Sequence, residues 1–196
     1  MKRPTLIVVM LMMSAAAFAQ TNFRFGITGG MNLSKEHVPN WNMNSGNKVG
    51  FSAGIIGELS LANNFYGNTS ILFTTKGYDS SDSEYKDNQT SNYLEVPIHF
   101  GYNYPITNKI SVLGEVGPYF GYLISAKGYD ENYKWDGTED FNKLDVGIGF
   151  KLGAEFIKRF RLTVGYDWGL SNIYKDSDDW GKANNRNFTV GVVMFF

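Results

Sequence analysis

The sequence contains no cysteine, which excludes a disulfide framework, thiol catalysis and thiolate metal sites. The formal net charge is −1, so no strong basic field draws the chain to nucleic acid. After residue 19, no apolar run is long enough for a transmembrane helix. We predict no cofactor, no metal site and no nucleic-acid partner. The lack of a long apolar run does not exclude a membrane-spanning β-barrel, because the strands of such a barrel are apolar only at alternate positions.

The first residues are organised like a secretory signal peptide. Two basic residues precede an apolar run at 6–13, and Ala17–Ala19 has the small-x-small pattern of a cleavage site. The apolar run is shorter than the roughly 18 residues that a retained membrane anchor needs. We therefore predict a signal peptide at 1–19 that is cleaved after Ala19, and one domain at 20–196, which is long enough for a real interior.

Strict alternation of apolar and other residues marks the stretch Leu144–Phe156, LDVGIGFKLGAEF. A period of two indicates an extended strand with two unlike faces. Eight segments share this pattern, at 22–34, 48–61, 65–78, 92–104, 109–125, 144–156, 161–170 and 187–196. The connections after the second, fourth and sixth segments are short, and the long polar ones lie at 34–47, 79–91, 126–142 and 175–187. The pattern predicts an all-β, antiparallel up-and-down barrel of eight strands.

The apolar face of such a barrel could point inward, as in a soluble protein, or outward into lipid. The other face is rich in glycine with a few charges, which suits a narrow lumen. Apolar-face aromatics often lie near strand ends, as aromatic girdles do: Tyr102, Tyr104, Tyr122 and Trp168. Lysine and arginine avoid the apolar face, where each would cost about 2–4 kcal/mol at mid-bilayer. We therefore predict a transmembrane barrel in contact with outer-membrane lipid, with short periplasmic turns and long extracellular loops.

The last residue, Phe196, falls on the apolar face at the end of the final strand. We expect it to serve as a C-terminal signal for the barrel assembly machinery during insertion.

Several segments resemble one known family. Tyr93–Pro97 (YLEVP) and Gly117–Leu123 (GPYFGYL) are similar to two signatures of the small porin-like outer-membrane barrels of Bacteroidota, often called PorT-type. Leu144–Phe156 and Gly169–Ile173 resemble late strands of these proteins. The resemblance covers essentially the whole mature chain. It implies a barrel of about eight strands in the outer membrane and no single activity, since a few members act as accessories in secretion or surface assembly.

Charged residues on the non-apolar face form the first candidate site. By parity, ten residues point into the lumen: Arg24, Glu58, Glu95, His99, Glu115, Asp145, Lys151, Glu155, Arg161 and Asp167. We expect Lys76 to join them. They could line an ion path, but eight strands leave just enough width for side chains, which favours a plug of ion pairs. Such charges must pair, because an unpaired buried charge is costly.

Aromatic residues among the polar loops form the second candidate site. They are Trp41, Tyr85, Tyr129, Tyr133, Trp135 and Trp180. Exposed aromatics in polar loops suit contact with a protein or glycan partner. Residues of a membrane-proximal girdle would give the same pattern, so the sequence leaves both interpretations open.

The leading hypothesis for function is a non-enzymatic structural or accessory protein whose extracellular loops contact a partner. A narrow, porin-like passive pore is the alternative. A lipid-modifying enzyme is the third, because His37 with Asp79 and Ser80 could imitate a catalytic set. Asp and Ser are, however, ordinary loop residues.

Pro97 and Pro118 lie within predicted strands. Proline cannot donate a hydrogen bond to a β-ladder, and a closed barrel has no free edge. We therefore expect a bulge or a local break at each proline.

Overall fold

Ten β-strands make up most of the computed structural model, which describes residues 23–38, 43–44, 46–79, 87–130, 133–175 and 182–196. The strands are β1 (Phe23–Val38), β2 (Met43–Asn44), β3 (Lys48–Ser60), β4 (Phe65–Asp79), β5 (Asp87–Pro105), β6 (Ile110–Asp130), β7 (Tyr133–Asp136), β8 (Leu144–Phe156), β9 (Phe160–Gly169) and β10 (Asn184–Phe195). Two 3-10 turns lie at Ala62–Asn64 and Thr138–Asp140. Across the described ranges, no helix is both long enough and apolar enough to cross a membrane.

Eight of these strands close into an antiparallel barrel. Their order around the sheet is β10, β9, β8, β6, β5, β4, β3, β1, and β1 pairs with β10 to complete the ring. The two short strands only lengthen hairpins, because β2 pairs with β1 and β7 pairs with β6. Apart from the closing pair β1 and β10, every neighbour in the ring is also a neighbour in sequence among the long strands, so the predicted up-and-down, eight-stranded barrel is confirmed.

The two faces of the barrel wall are inverted relative to a soluble protein. Outward side chains are large and apolar on every long strand, such as Ile27 (51% exposed) and Leu152 (66% exposed). Buried side chains are mostly polar or charged, such as Glu58 (2% exposed) and Arg161 (1% exposed). This arrangement suits a wall whose solvent is lipid and whose interior is polar.

Three short turns join β3 to β4, β5 to β6 and β8 to β9 at one end of the barrel. Each is closed by a backbone hydrogen bond, as from Leu61 N to Phe65 O (2.7 Å) and from Arg159 N to Phe156 O (3.0 Å). The short connections are therefore confirmed. In barrels of this kind the short turns are periplasmic and the long loops are extracellular, which fixes the orientation used below.

The long connections contain more strand than the sequence indicated. Strand β1 continues to Val38, β5 begins at Asp87 and β6 reaches Asp130, so the loop boundaries predicted at 34, 91 and 126 are wrong. With 19 and 21 residues at about 3.3 Å per residue, β5 and β6 are roughly 60–70 Å long; tilted by about 40°, they rise roughly 45–55 Å, against about 30 Å for a bilayer core. The barrel wall therefore rises well above the membrane on the extracellular side.

The two prolines interrupt the ladders without changing the register. Pairing of β5 with β6 stops after Pro97–Tyr119 and resumes at Phe100–Val116 in the same register. Pairing of β4 with β5 is also interrupted, between Thr69–Ile98 and Leu72–Glu95, and there Thr69 Oγ1 donates to Pro97 O (3.0 Å). The expected local break is confirmed.

The only register shift between β5 and β6 lies elsewhere, between Asn92 and Tyr93. Their partners are Ser125 and Leu123, so Ile124 is an extra residue in β6. This bulge exchanges the two faces of β6. Below it even-numbered residues face lipid, and above it Ala126 is fully buried while Lys127 is exposed.

Candidate functional site

Arg161 lies at the centre of an ion cluster in the periplasmic half of the lumen. Its guanidinium contacts Glu58 Oε2 (2.7 Å), Glu115 Oε1 (3.0 Å) and Glu155 Oε2 (2.8 Å). The carbon of that guanidinium also lies 5.0 Å from the ring centres of both Tyr66 and Phe195. The four strands β3, β6, β8 and β9 each contribute one charged residue, so their side chains converge across the lumen rather than along one strand.

Arg24 closes this cluster toward the periplasm. It donates to Glu58 Oε1 (2.6 Å) and Glu155 Oε2 (2.5 Å), and its guanidinium carbon lies 3.9 Å from the centre of the Phe195 ring. The Tyr66 hydroxyl donates to Glu115 Oε1 (2.8 Å). We call Arg24, Glu58, Glu115, Glu155 and Arg161 the Arg161 cluster. Its five charged side chains come from five strands and pair with one another across the lumen.

A vestibule of about 560 Å³ opens below the Arg161 cluster at the short-turn end. Arg24, Glu58 and Glu155 line it together with Lys109 and Lys158 from the turns. Members of the cluster therefore form part of the wall of this vestibule.

Lys76 holds a second ion cluster nearer the extracellular side. It is fully buried, and its Nζ lies 2.5 Å from Glu95 Oε2 and 3.3 Å from Asp145 Oδ2. The rings of Tyr93 and Tyr119 lie 5.4 Å and 4.5 Å from the same Nζ, in cation–π geometry. These five residues form the Lys76 cluster.

Neutral hydrogen-bond donors supply contacts to the carboxylates that Lys76 does not fully satisfy by itself. Asp145 accepts hydrogen bonds from Asn185 Nδ2 (2.9 Å) and Ser171 Oγ (3.2 Å). Asp167 accepts one from Asn187 Nδ2 (3.1 Å). Carboxylates thus outnumber cations at this height, and amide and hydroxyl donors provide the remaining stabilisation.

A small cavity of about 40 Å³ lies within the lumen beside the Lys76 cluster. Glu95, Asp167 and Lys151 line it, together with Thr74 and Asn187. Thr74 Oγ1 and Asn187 Oδ1 have no hydrogen-bond partner within the described part of the chain. This volume has room for roughly three water molecules, which would satisfy both atoms.

An apolar cluster covers the extracellular end of the lumen. Tyr93, Leu123 and Ala126 come from the barrel wall, whereas Phe141, Ile173 and Ala183 come from segments that fold inward over the opening. Backbone hydrogen bonds tie these segments together, from Asn142 N to Ile173 O (2.8 Å) and from Ile173 N to Ala183 O (2.9 Å). We call these six residues the mouth plug. Their burial removes apolar surface from water just where the lumen would otherwise open.

A buried carboxyl lies beside this plug, above the lipid-facing belt, where Tyr174 packs against the plug. Leu33 is the last outward apolar residue of β1, and Glu36 follows it on the inner face. Glu36 accepts hydrogen bonds from Tyr174 Oη (2.9 Å) and Gln89 Nε2 (2.7 Å). Burial, aided by the charges of Asp87 and Asp145, raises the pKa of Glu36 to about 7 against the two hydrogen bonds, which lower it.

This raised pKa predicts a pH-dependent mouth. Because the folded pKa of Glu36 exceeds its ordinary value of 4.5, its stabilising contribution is complete below about pH 4.5 and is lost as the pH rises through 7. The loss reaches on the order of 3 kcal/mol. The protection factor of the Ile173 amide, corrected for the intrinsic pH dependence of exchange, should fall between about pH 5 and pH 8. Glu36→Gln should remove this fall. Equal slopes in Glu36→Gln and in the exposed-site control Glu139→Gln would contradict the assignment.

The structure places all ten charged residues that parity assigned to the lumen on the inner face, and Lys76 with them. His99 is 2% exposed, and its Nδ1 lies 3.5 Å from Glu115 Oε2. Gly117 and Gly149 make room for this ring, since a Cβ at either would approach His99 atoms within 3.0 Å. His99 is therefore a packed lumen residue beside the Arg161 cluster.

Sequence reasoning missed a group of site residues that lie outside the predicted strands: Glu36, Gln89, Tyr174, Asn185 and the mouth-plug residues Ala126, Phe141, Ile173 and Ala183. At 34–38 and 87–92 inward and outward residues alternate, but both faces of these strands are polar, so the alternation does not show in the hydropathy. Tyr66, Tyr93 and Tyr119 were also missed. Their parity puts them on the inner face, where only the charged residues and His99 were considered as site residues.

Only part of the predicted aromatic set can be placed. Tyr133 on β7 is 72% exposed, and Tyr129 on β6 is half-buried. Trp41, Tyr85 and Trp180 lie outside the described residues, as does the side chain of Trp135. The two placed tyrosines lie on neighbouring extracellular strands.

The residues considered for a lipid-modifying site are not brought together. His37 pairs with Asn184 of β10 and Asn44 of β2, whereas Asp79 pairs with Asn88 of β5. Strand β3 separates the strands that carry His37 and Asp79. Ser80 lies outside the described residues.

A closed barrel with an apolar outer wall and a charged, plugged lumen defines a transmembrane β-barrel protein of the class found in outer membranes. A family model described as outer membrane protein beta-barrel domain matches residues 18–175, and the chain belongs to this family. No curated protein sequence gives a significant match.

Solved outer-membrane barrels have a similar fold. Neisserial surface protein A (NspA) is 12% identical, with 88% of this chain and 97% of that chain covered and a TM-score of 0.52. Ail, the attachment invasion locus protein of Yersinia pestis, solved in complex with the heparin analogue sucrose octasulfate, is 15% identical over 89% of this chain and 99% of that chain, with a TM-score of 0.48. OprG from Pseudomonas aeruginosa is 11% identical over 90% and 97%, with a TM-score of 0.46. At these identities the likeness concerns the fold alone. The family places the chain in the outer membrane.

Proposed function

We propose that this protein is a non-conducting, non-enzymatic outer-membrane barrel whose extracellular end contacts a protein or glycan partner. The proposal rests on the contrast between the lumen of this barrel and its extracellular wall. The lumen is filled at three heights, while the wall of β5, β6 and β7 continues far above the lipid-facing belt. Such a wall serves neither the membrane nor a pore, but it suits a surface that meets other molecules.

The narrow-pore alternative needs a continuous aqueous path. The Arg161 cluster closes the periplasmic half, and Arg161 itself is 1% exposed. The mouth plug closes the other end with side chains such as Leu123 (2% exposed) and Ala126 (0% exposed). Opening a path would break several charge-assisted bonds at once, each stronger than an ordinary hydrogen bond. The geometry therefore favours the structural role.

Partner contact is assigned to the predicted loop aromatics, with Tyr129 and Tyr133 as the members whose position is known. Tyr133 stands exposed on β7, where it pairs with Asp130 of β6 and is followed in the chain by Lys134. An aromatic ring surrounded by polar groups offers a large, rigid contact area that suits either a glycan or a protein surface.

Two sequence motifs support a more specific family placement. Tyr93–Pro97 and Gly117–Leu123 support placement among the PorT-type barrels of Bacteroidota, with a signal peptide at 1–19 and a mature domain at 20–196.

Phe196 is 59% exposed on the outer face and its N–H donates to Phe25 O (2.9 Å), so its ring is presented where an assembly factor would meet it.

Site-specific photo-cross-linking in intact cells tests the partner role. A photoreactive residue at Tyr133 should give a discrete adduct with an extracellular protein or glycan. The matched control is Tyr104, which is 58% exposed but lies at the periplasmic end of β5. No adduct at Tyr133, or the same adduct at both positions, would contradict the proposal.

A further inference from the structure

Two cations face outward side by side just above the lipid-facing belt. Lys35 of β1 and Arg186 of β10 are directly paired in the register. The chain neighbours of Lys35 are buried in the lumen, and so are those of Arg186, with Asn185 at 3% and Asn187 at 2% exposure. Alternation therefore directs both cations away from the lumen.

The pair lies at the height where a lipid headgroup begins. One step closer to the membrane on the same strands are Leu33 (44% exposed) and Phe188 (41% exposed), which are themselves paired. One step further out are His37 and Asn184, also paired. The wall thus changes from apolar to cationic to polar within three consecutive outward positions of two neighbouring strands.

Arg186 is held in place rather than free to move away. Its Nη1 donates to Gly169 O (2.7 Å) and Asn185 O (3.1 Å), and its guanidinium carbon lies 4.7 Å from the ring centre of Trp168. The other guanidinium N–H groups remain available to a ligand, because a guanidinium carries five donors. A planar cation fixed on an aromatic face is a preorganised anion site.

Like charges directly opposite each other on a sheet destabilise it. Within the described portion of the chain, neither Lys35 nor Arg186 forms an ion pair with a carboxylate, although Lys127 on the same side pairs with Asp136 (3.5 Å). An anion shared by both side chains would convert the repulsion into attraction.

We propose that Lys35 and Arg186 bind the phosphate of a phosphorylated glycolipid headgroup in the outer leaflet, with its acyl chains against the apolar wall around Leu33, Phe188 and Trp168. A lipid is the occupant that this position favours, because charge and apolar surface adjoin at one height. The interaction anchors the barrel vertically and is independent of any partner at the extracellular end.

Native mass spectrometry of the intact protein in neutral detergent tests this inference, with bis-phosphorylated lipid A as the probe. Lys35→Gln/Arg186→Gln should bind the probe at least about tenfold more weakly than the unchanged protein, because two charge-assisted contacts are lost. Lys127→Gln/Lys134→Gln removes the same charge from the same side and should change binding by less than about twofold. Heat-modifiable migration on gels verifies that each variant is folded.

Other results would overturn the inference. Equal affinity in the Lys35/Arg186 variant would do so, and an equal loss in the Lys127/Lys134 variant would indicate net charge alone. Dephosphorylated lipid A should bind the unchanged protein and the Lys35/Arg186 variant equally. If inorganic phosphate displaced the lipid completely at equal concentration, the site would bind a free anion rather than a headgroup.

Discussion

Arg161→Met should lower the free energy of unfolding by about 4 kcal/mol. The change removes the cation that contacts Glu58, Glu115 and Glu155, each of which is less than 8% exposed. Arg24 still pairs with two of these carboxylates, but Glu115 loses its ion pair and keeps His99, the Tyr66 hydroxyl and its register partner Lys151 as neighbours. The penalty therefore arises mainly from buried charge left without compensation, not from lost packing.

Urea titration in phospholipid vesicles, followed by tryptophan fluorescence, measures this change. Arg159→Met is a closely matched control, since Arg159 lies two residues away and is exposed in the periplasmic turn. It should change the unfolding free energy by less than about 0.5 kcal/mol. If the two variants were equally stable, the Arg161 cluster could not be a main source of stability.

Lys76→Met should cost about 3–4 kcal/mol for a related reason. Lys76 is the cation that contacts Glu95 and Asp145, and it is fully buried among the Tyr93 and Tyr119 rings. Methionine fills much of the same volume, so the loss reports on charge more than on cavity formation.

A double variant separates the two contributions. Adding Glu95→Gln to Lys76→Met removes one of the stranded carboxylates, so about half of the lost stability should return. Lys127→Met, in which the lysine is 66% exposed, should be almost neutral. A double variant less stable than Lys76→Met would show that Glu95 is satisfied without Lys76.

The membrane-spanning part of the fold could be predicted from the sequence, because lipid outside and charge inside impose the strongest contrast on alternate residues. In Leu144–Phe156 that contrast identified the strand, its two faces and the inward positions of Asp145, Lys151 and Glu155. The same parity placed Arg161 and Glu58 in the lumen. It did not show which charges meet, because that depends on the stagger between strands.

Above the membrane the hydropathy contrast between the two strand faces disappears, and the strands there were predicted to end too early. At 34–38 the outward Lys35 and His37 alternate with the inward Ser34 and Glu36, so both faces are polar. Strand pairing there is supported by backbone bonds and by buried polar contacts such as that between Glu36 and Gln89. A period in hydropathy cannot reveal such a strand.

The mouth plug was beyond prediction for a different reason. Phe141, Ile173 and Ala183 lie in irregular segments without a period, and their burial depends on two connections folding over the same opening. The bulge at Ile124 adds to the difficulty, because one extra residue turns Ala126 inward and moves it into the plug.

Conductance across a planar bilayer tests whether the lumen is closed, as we propose. Protein purified from outer membranes in mild detergent, and shown to be folded by heat-modifiable migration, should insert without discrete current steps above the bilayer leak. The Arg161 cluster, the Lys76 cluster and the mouth plug lie at three heights of the lumen, so we expect this result at either polarity. Stable, ohmic channels in the unchanged protein would contradict the account and favour the narrow pore.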